Sequence, residues 1–253
     1  MFKLAAGGVA LVVSAMLGSA QAQQEGTVTV TSVRGSAQYS DAGGSWMPLK
    51  VGKVLKAGAV VKTAADSQVD LFLKQNGPVV RVTADTTLGL DKMLFDDTGA
   101  ETVVETQLNL VNGRILGNVK KLAAASRYDV KVPTGTVGIR GTEYDISASG
   151  VVHVVTGEVL VTYISPAGKV TTMSVKEGEW FIPPTDAAGV PTIQNTPPTG
   201  WSPEPMPPVI GPGPEVVTPI GGIVKPIEVP VSPIVGTKPT SAPAPVPVTP
   251  PQD

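Results

Sequence analysis

Between residues 26 and 183 apolar and polar residues alternate with a period of two, as in strands that bury one face. Thr27-Val28-Thr29-Val30-Thr31 is the first such run. Val69–Leu73 and Val79–Val82 flank Asn76-Gly77 and read as a hairpin, because Asn-Gly tolerates the positive φ of tight turns. Val151–Val155, Val159–Ile164, Val170–Val175 and Trp180–Ile182 follow, split by Thr156-Gly157-Glu158, Ser165–Lys169 and Lys176-Glu177-Gly178. Only Gln107–Ala125 offers room for a short helix, and Asn112-Gly113 within it predicts strand–turn–strand instead. The expected fold is all-β: an elongated sandwich or roll, or an irregular solenoid-like domain. The glycines between the runs keep no fixed period, which argues against a β-helix of equal rungs.

The two ends of the chain break this pattern. Lys3 precedes the apolar stretch Leu4–Leu17, and Ser19-Ala20-Gln21-Ala22 places small residues where a signal peptidase cuts. A signal peptide over 1–22 is expected, with no membrane span remaining after its removal. Of the 25 prolines, 21 lie between Pro183 and Pro251. Proline donates no backbone hydrogen bond and disfavours helix before it, so residues 184–253 are expected to form a disordered, proline-rich tail acting as a spacer. The all-β domain is accordingly expected to occupy 26–183.

Composition narrows the chemistry. The chain has 253 residues and a formal net charge of −2, without the cationic excess that nucleic-acid binding requires. The absence of cysteine excludes disulfides, thiolate nucleophiles and cysteine metal sites, and the single histidine, His153, leaves little for a histidine metal site. No metal or other cofactor is expected. His153 alternates with Val152 and Val154 and has no nucleophile motif beside it. The acids Asp91, Asp96, Asp97, Glu101 and Glu105 lack the spacing of a calcium loop. Lys120, Lys121, Arg127 and Lys131 form a mild basic patch; Trp180 is expected in the core and Trp201 exposed in the tail.

The segment Tyr128–Ile146, YDVKVPTGTVGIRGTEYDI, is the most distinctive. Gly135, Gly138 and Gly141 invite a phosphate-loop reading, but the Walker lysine is missing and a strand rather than a helix follows. The glycines are instead expected to turn a corner between Tyr128–Val132 and Glu143–Ile146. Pro133–Tyr144 resembles the "T-P-T-x-x-x-G-V-R-G-T-x-F" hallmark of the FecR domain family. Leu49–Thr63 is similar to that family's "L-x-x-G-x-x-L-x-x-G-D-x-I-x-T" region, Leu110–Arg114 to its "L-x-x-G" strand and Val154–Val161 to its "V-x-V-x-x-G-x-V-x-V" run. Val132 and Ala59 depart from the family's threonine and aspartate. The resemblance covers about residues 26–183 and implies an extracytoplasmic sensing or interaction domain. The family's regulators carry a sigma-binding region and a membrane helix before this domain; here a signal peptide is expected in their place, so anti-sigma activity is not implied.

Arg140, Gly141 and Thr142 are the candidate binding residues. An arginine in an apolar turn needs acceptors, and Asp129, Glu143 and Asp145 are near in sequence. Arg140 is therefore read either as an internal clamp, the reading favoured by sequence, or as a binding hot spot. The expected protein is exported, periplasmic or extracellular, and non-enzymatic. It would be an interaction or sensor module for an envelope protein or glycan. Two alternatives are a structural surface or matrix component assembling through its β domain and, with no recognisable catalytic set to support it, a hydrolase of envelope polymers.

Overall fold

The computed structural model describes residues 23–186 and 189–208; the expected signal peptide and the tail from residue 209 lie outside the described residues. The fold is all-β, with two sheets enclosing one apolar core. β1 (Gln24–Glu25) joins the first sheet and β2 (Val28–Arg34) the second. β3 (Ala37–Ser40) and β4 (Met47–Pro48) lie in the first, β5 (Val54–Leu55) in the second and β6 (Val60–Thr63) in the first. The chain then moves mostly in hairpins. β7 (Gln68–Phe72) and β8 (Val79–Val82) lie in the second sheet, β9 (Thr87–Asp96) and β10 (Val103–Asn112) in the first, and β11 (Arg114–Asn118) alone in the second. β12 (Arg127–Val132) and β13 (Gly135–Ile139) return to the first, β14 (Glu143–Ser147) and β15 (Val152–Thr156) to the second. β16 (Glu158–Ile164) and β17 (Val170–Lys176) complete the first sheet, and β18 (Trp180–Ile182) and β19 (Thr192–Gln194) the second.

Strand order follows chain order. From β6 and β7 onward each new strand is laid outside the last: the first sheet runs β6-β9-β10-β12-β13-β16-β17, the second β7-β8-β11-β14-β15-β18-β19. Each crossover reverses the chain, so the single visit to β11 returns β12 parallel to β10. Among the described residues every other pairing is antiparallel. The expected strand–turn–strand over Gln107–Ala125 is β10, Gly113 and β11. Alternate residues of both sheets face inward, among them Val30, Leu71, Leu108, Ile115, Val137 and Val161, which explains the period of two.

A chain crossing between sheets carries backbone groups that no ladder satisfies. Buried hydroxyls take that role here. Thr63 and Thr86 are 1% and 0% exposed. The Thr63 hydroxyl donates to the Thr83 carbonyl and accepts from the Thr86 amide; the Thr86 hydroxyl accepts from the Arg114 amide at 3.0 Å. Successive crossovers also bond directly: the Ala64 amide donates to the Ser36 carbonyl, Asp85 to Ala64, and Ala148 to Gly113. Gly113 sits against Thr86 at φ +84°, where a Cβ would lie 2.6 Å from the Thr86 Cα.

Two local expectations are revised. The β7–β8 hairpin forms, but through a 3-10 turn at Lys74–Asn76 rather than a two-residue Asn-Gly turn. Asn76 is drawn inward instead, and its amide donates to the Leu94 carbonyl at 2.8 Å and the Thr106 hydroxyl at 2.9 Å. Residues 189–208, read as spacer, also differ from expectation: Thr192–Gln194 pairs with β18, and Trp201 packs against the second sheet. Proline blocks only its own donor; Thr192, Ile193 and Gln194 keep theirs, so a short edge strand forms between Pro191 and Pro197.

Replacing Gly113 by alanine should cost clearly more than replacing Gly52, which has φ +85° but open space around it. Gly52→Ala should cost about 1 kcal/mol for the left-handed conformation alone. Gly113→Ala should exceed that by about 1–3 kcal/mol of overpacking against Thr86. Urea denaturation of the two variants compares them; equal losses would show that the close approach contributes nothing.

Candidate functional site

The corner containing Arg140 is built from two turns rather than one. Pro133 and Thr134 close the β12–β13 hairpin, Gly135 and Gly138 lie within β13, and only Arg140-Gly141-Thr142 crosses between the sheets. Gly141 has φ +95° and presses on the neighbouring chain, where a Cβ would lie 2.7 Å from the Lys121 Cα. Thr142 is buried; its hydroxyl donates to the Glu158 carbonyl at 3.0 Å, and its carbonyl accepts from the Val119 amide at 3.0 Å. Glycine and threonine thus lock three adjacent chain segments together. Tyr144, just beyond, is fully buried with its hydroxyl 3.3 Å from that of Tyr128, and burial pushes both phenols well above their usual range.

Arg140 itself is exposed, and its guanidinium donates to the Ala124 carbonyl at 3.3 Å. It forms no ion pair among the described residues. The carboxylates expected to clamp it are engaged elsewhere: Asp129 with Arg127, Asp145 with Arg114, and Glu143 with Asn118. The internal-clamp reading is therefore replaced. The crossover aims Arg140 outward, because β13 has already left the core when it reaches residue 140. Arg140 and Gly141 border an open cleft of about 830 Å³, alongside Lys121, Arg127 and Lys176 and the carboxylates of Asp129, Glu158 and Glu177. Thr142 stands behind it as support.

The buried Arg81 and the half-buried Arg114 lie on the outer face of the second sheet. Asp70 and Arg81 are paired across β7 and β8, with Nε to Oδ1 at 2.7 Å and Nη2 to Oδ2 at 2.9 Å. Arg114 grips both oxygens of Asp145 in the same fork, with Nε to Oδ1 at 2.7 Å. Register aligns Asp70, Arg81, Leu116, Asp145, His153 and Trp180 in one row across six strands. Strand alternation gives this row no signal in sequence beyond isolated charges, and the pairings are separated by 11 and 31 residues. Arg81 and Arg114 were accordingly missed.

His153 stacks on Trp180 with ring centroids 3.9 Å apart. Trp180 is buried, as expected, but on this outer face rather than between the sheets; Phe181 beside it enters the core. Trp201 covers Trp180 edge-on at 5.2 Å and lies 4.1 Å from the Arg114 guanidinium, a cation–π contact, in place of the exposed position expected for it. Burial lowers the His153 pKa below its ordinary value; Asp145 opposes that shift and Arg114 adds to it.

The family model described as FecR protein matches residues 59–160, about two fifths of the chain, which is consistent with a FecR-domain protein. The match spans β6 to β16 and includes the Arg140 corner, a narrower stretch than the resemblance over 26–183. No curated protein matches the chain significantly. Two crystal structures of a candidate anti-sigma factor from Parabacteroides distasonis ATCC 8503 are similar to it at 18% identity, with TM-scores of 0.41 and 0.43. The overlap takes in 54% of this chain and 59% of theirs, a likeness too distant to carry functional weight. Among the described residues no helix is long and apolar enough to cross a membrane.

Two outcomes follow from the outer face. Asp70→Ala strands the Arg81 charge and should destabilise the fold by about 3–5 kcal/mol in urea denaturation, whereas replacing both partners by apolar residues should recover much of the loss. A double variant no more stable than Asp70→Ala would refute the pairing argument. A histidine whose folded pKa is depressed holds fewer protons than the unfolded chain just below the ordinary value. Stability should therefore fall as pH drops through about 6.5, and His153→Gln should flatten that part of the profile.

Proposed function

We propose that this protein is a non-enzymatic interaction or sensor module of the bacterial envelope, engaging an envelope protein or glycan through the cleft beside Arg140. The carrying observation is the exposed guanidinium of Arg140 on a crossover fixed by Gly141 and Thr142. A rigid support removes the backbone part of the ordering cost of binding, leaving that of the side chain. The cleft beside it mixes cations and carboxylates, which suits a polar protein surface or the hydroxyls of a glycan better than a polyanion. The FecR domain supports an extracytoplasmic setting, and the expected signal peptide would deliver the chain there.

A second reading, assembly through the β domain, draws on β17, which ends the first sheet with no proline along its seven residues. Lys169 and Lys176 at its two ends oppose it, since charge on an edge discourages strand addition.

Arg140→Ala should leave the melting temperature of the purified protein unchanged while removing the partner recovered by cross-linking in intact cells. A lowered melting temperature, or an unchanged set of cross-linked partners, would defeat the cleft as the binding site. Sedimentation showing association that grows with concentration would favour assembly instead.

A further inference from the structure

The outer face of the second sheet is already occupied, and the manner of occupation identifies what it recognises. Residues 201–206, Trp-Ser-Pro-Glu-Pro-Met, lie across it without regular secondary structure. Arg81 and Arg114 each spend two nitrogens on a carboxylate and keep the third for this segment. Nη1 of Arg114 donates to the Ser202 carbonyl at 2.7 Å, and Nη1 of Arg81 donates to the Pro205 carbonyl at 2.8 Å. Those carbonyls are three residues apart, the repeat that returns a polyproline II helix to the same side. Proline has no N–H, so a proline-rich backbone offers acceptors with few donors. Arginine offers donors and no acceptor. The match is chemical as well as geometric. Asp70 and Asp145 fix the forks before the peptide arrives, so little side-chain freedom remains to be lost.

Next to the second arginine the aromatic anchor is set. Trp201 lies between the Arg114 guanidinium and the Trp180 ring, which is itself backed by His153. The seat is also larger than its occupant. A cavity of about 180 Å³ remains among Leu116, His153, Trp180, Trp201, Pro203 and Met206.

We propose that this face is a peptide-binding site for tryptophan-anchored, proline-rich segments, and that Trp201–Met206 is its resident, exchangeable ligand. The site is separate from the Arg140 cleft, which is lined mainly by strands of the first sheet and their turns. It recognises a ligand class by three features: an indole for the Arg114–Trp180 slot, and two carbonyls three residues apart for Arg114 and Arg81.

The test uses the full chain. Trp201→Ala removes the resident anchor, and a fluorescently labelled synthetic peptide spanning Thr199–Pro208 is then titrated in and followed by anisotropy. The variant should bind the peptide saturably and at least tenfold more tightly than the unaltered protein, whose own segment competes. A peptide with alanine in place of its tryptophan should not bind. Changing Arg81 to lysine in the Trp201→Ala background keeps the charge beside Asp70 but loses the fork, and should weaken binding about tenfold. A second chain is independent of how Trp201→Ala folds: a protease site placed at the exposed Asn195–Thr196 junction and cleaved after folding. The released C-terminal segment should co-elute with the body and be displaced by excess peptide. Absence of saturable binding by a Trp201→Ala chain with a native far-UV spectrum would overturn the proposal. So would a cleaved segment that the peptide fails to displace.

Discussion

The constraint on which this structure depends is the satisfaction of backbone groups where the chain passes from one sheet to the other. A sandwich made of long hairpins needs few such passages; this one changes sheets repeatedly along its length. Each passage leaves amides and carbonyls outside the ladders, and Thr63, Thr83 and Thr86 answer them from within the core margin. Glycine at 113 and 141 lets adjacent passages touch. The Arg-Gly-Thr triplet is one instance of the same solution: glycine supplies proximity and threonine the buried bond, while the arginine stays exposed with a single bond to the Ala124 carbonyl.

The two sheets use charge differently. On the outer face of the second, Arg81 and Arg114 are withdrawn from water and held by bidentate carboxylates, with exposures of 8% and 16% for their side chains. Ion pairs on the first sheet, such as Lys92 with Glu105 and Lys131 with Asp91, remain solvated and contribute little to stability. Burying an ion pair is costly unless its remaining donors are satisfied, and in this protein the proline-rich segment satisfies them. Without those carbonyls the third nitrogen of each fork would turn to water. Covering segment and buried charge therefore stabilise one another, and neither is a neutral ornament of the fold.

Much of the architecture was legible in the sequence because a strand with one buried face must alternate. The runs at Val151–Val155, Val159–Ile164, Val170–Val175 and Trp180–Ile182 correspond to β15–β18. Turn chemistry was legible as position but not as type: Asn76-Gly77 marks a reversal, yet Asn76 serves the core through Leu94 and Thr106. The corner at 128–146 was located correctly, while its strand β13 was hidden under three glycines that suggested only turning. Side-chain partners were least legible. Proximity in sequence nominated Asp129, Glu143 and Asp145 for Arg140, whereas cross-strand register gave Asp145 to Arg114, 31 residues away. Register depends on pairing across strands, and a single sequence does not state it.

Strand order following chain order has a kinetic meaning. In a Greek key the fourth strand returns by a long connection to lie beside the first. Here nearly every partner is supplied by the next one or two hairpins, and β10–β12 is separated only by β11. From β6 and β7 onward loop-closure entropy is spent one hairpin at a time, even though most contacts still join residues distant in sequence. Such a domain can accrete from its N-terminal end as the chain is delivered, each hairpin condensing on a template already in place. The apolar margin left open at any moment is then one hairpin wide, which limits the time during which an unfinished sheet edge can meet another chain.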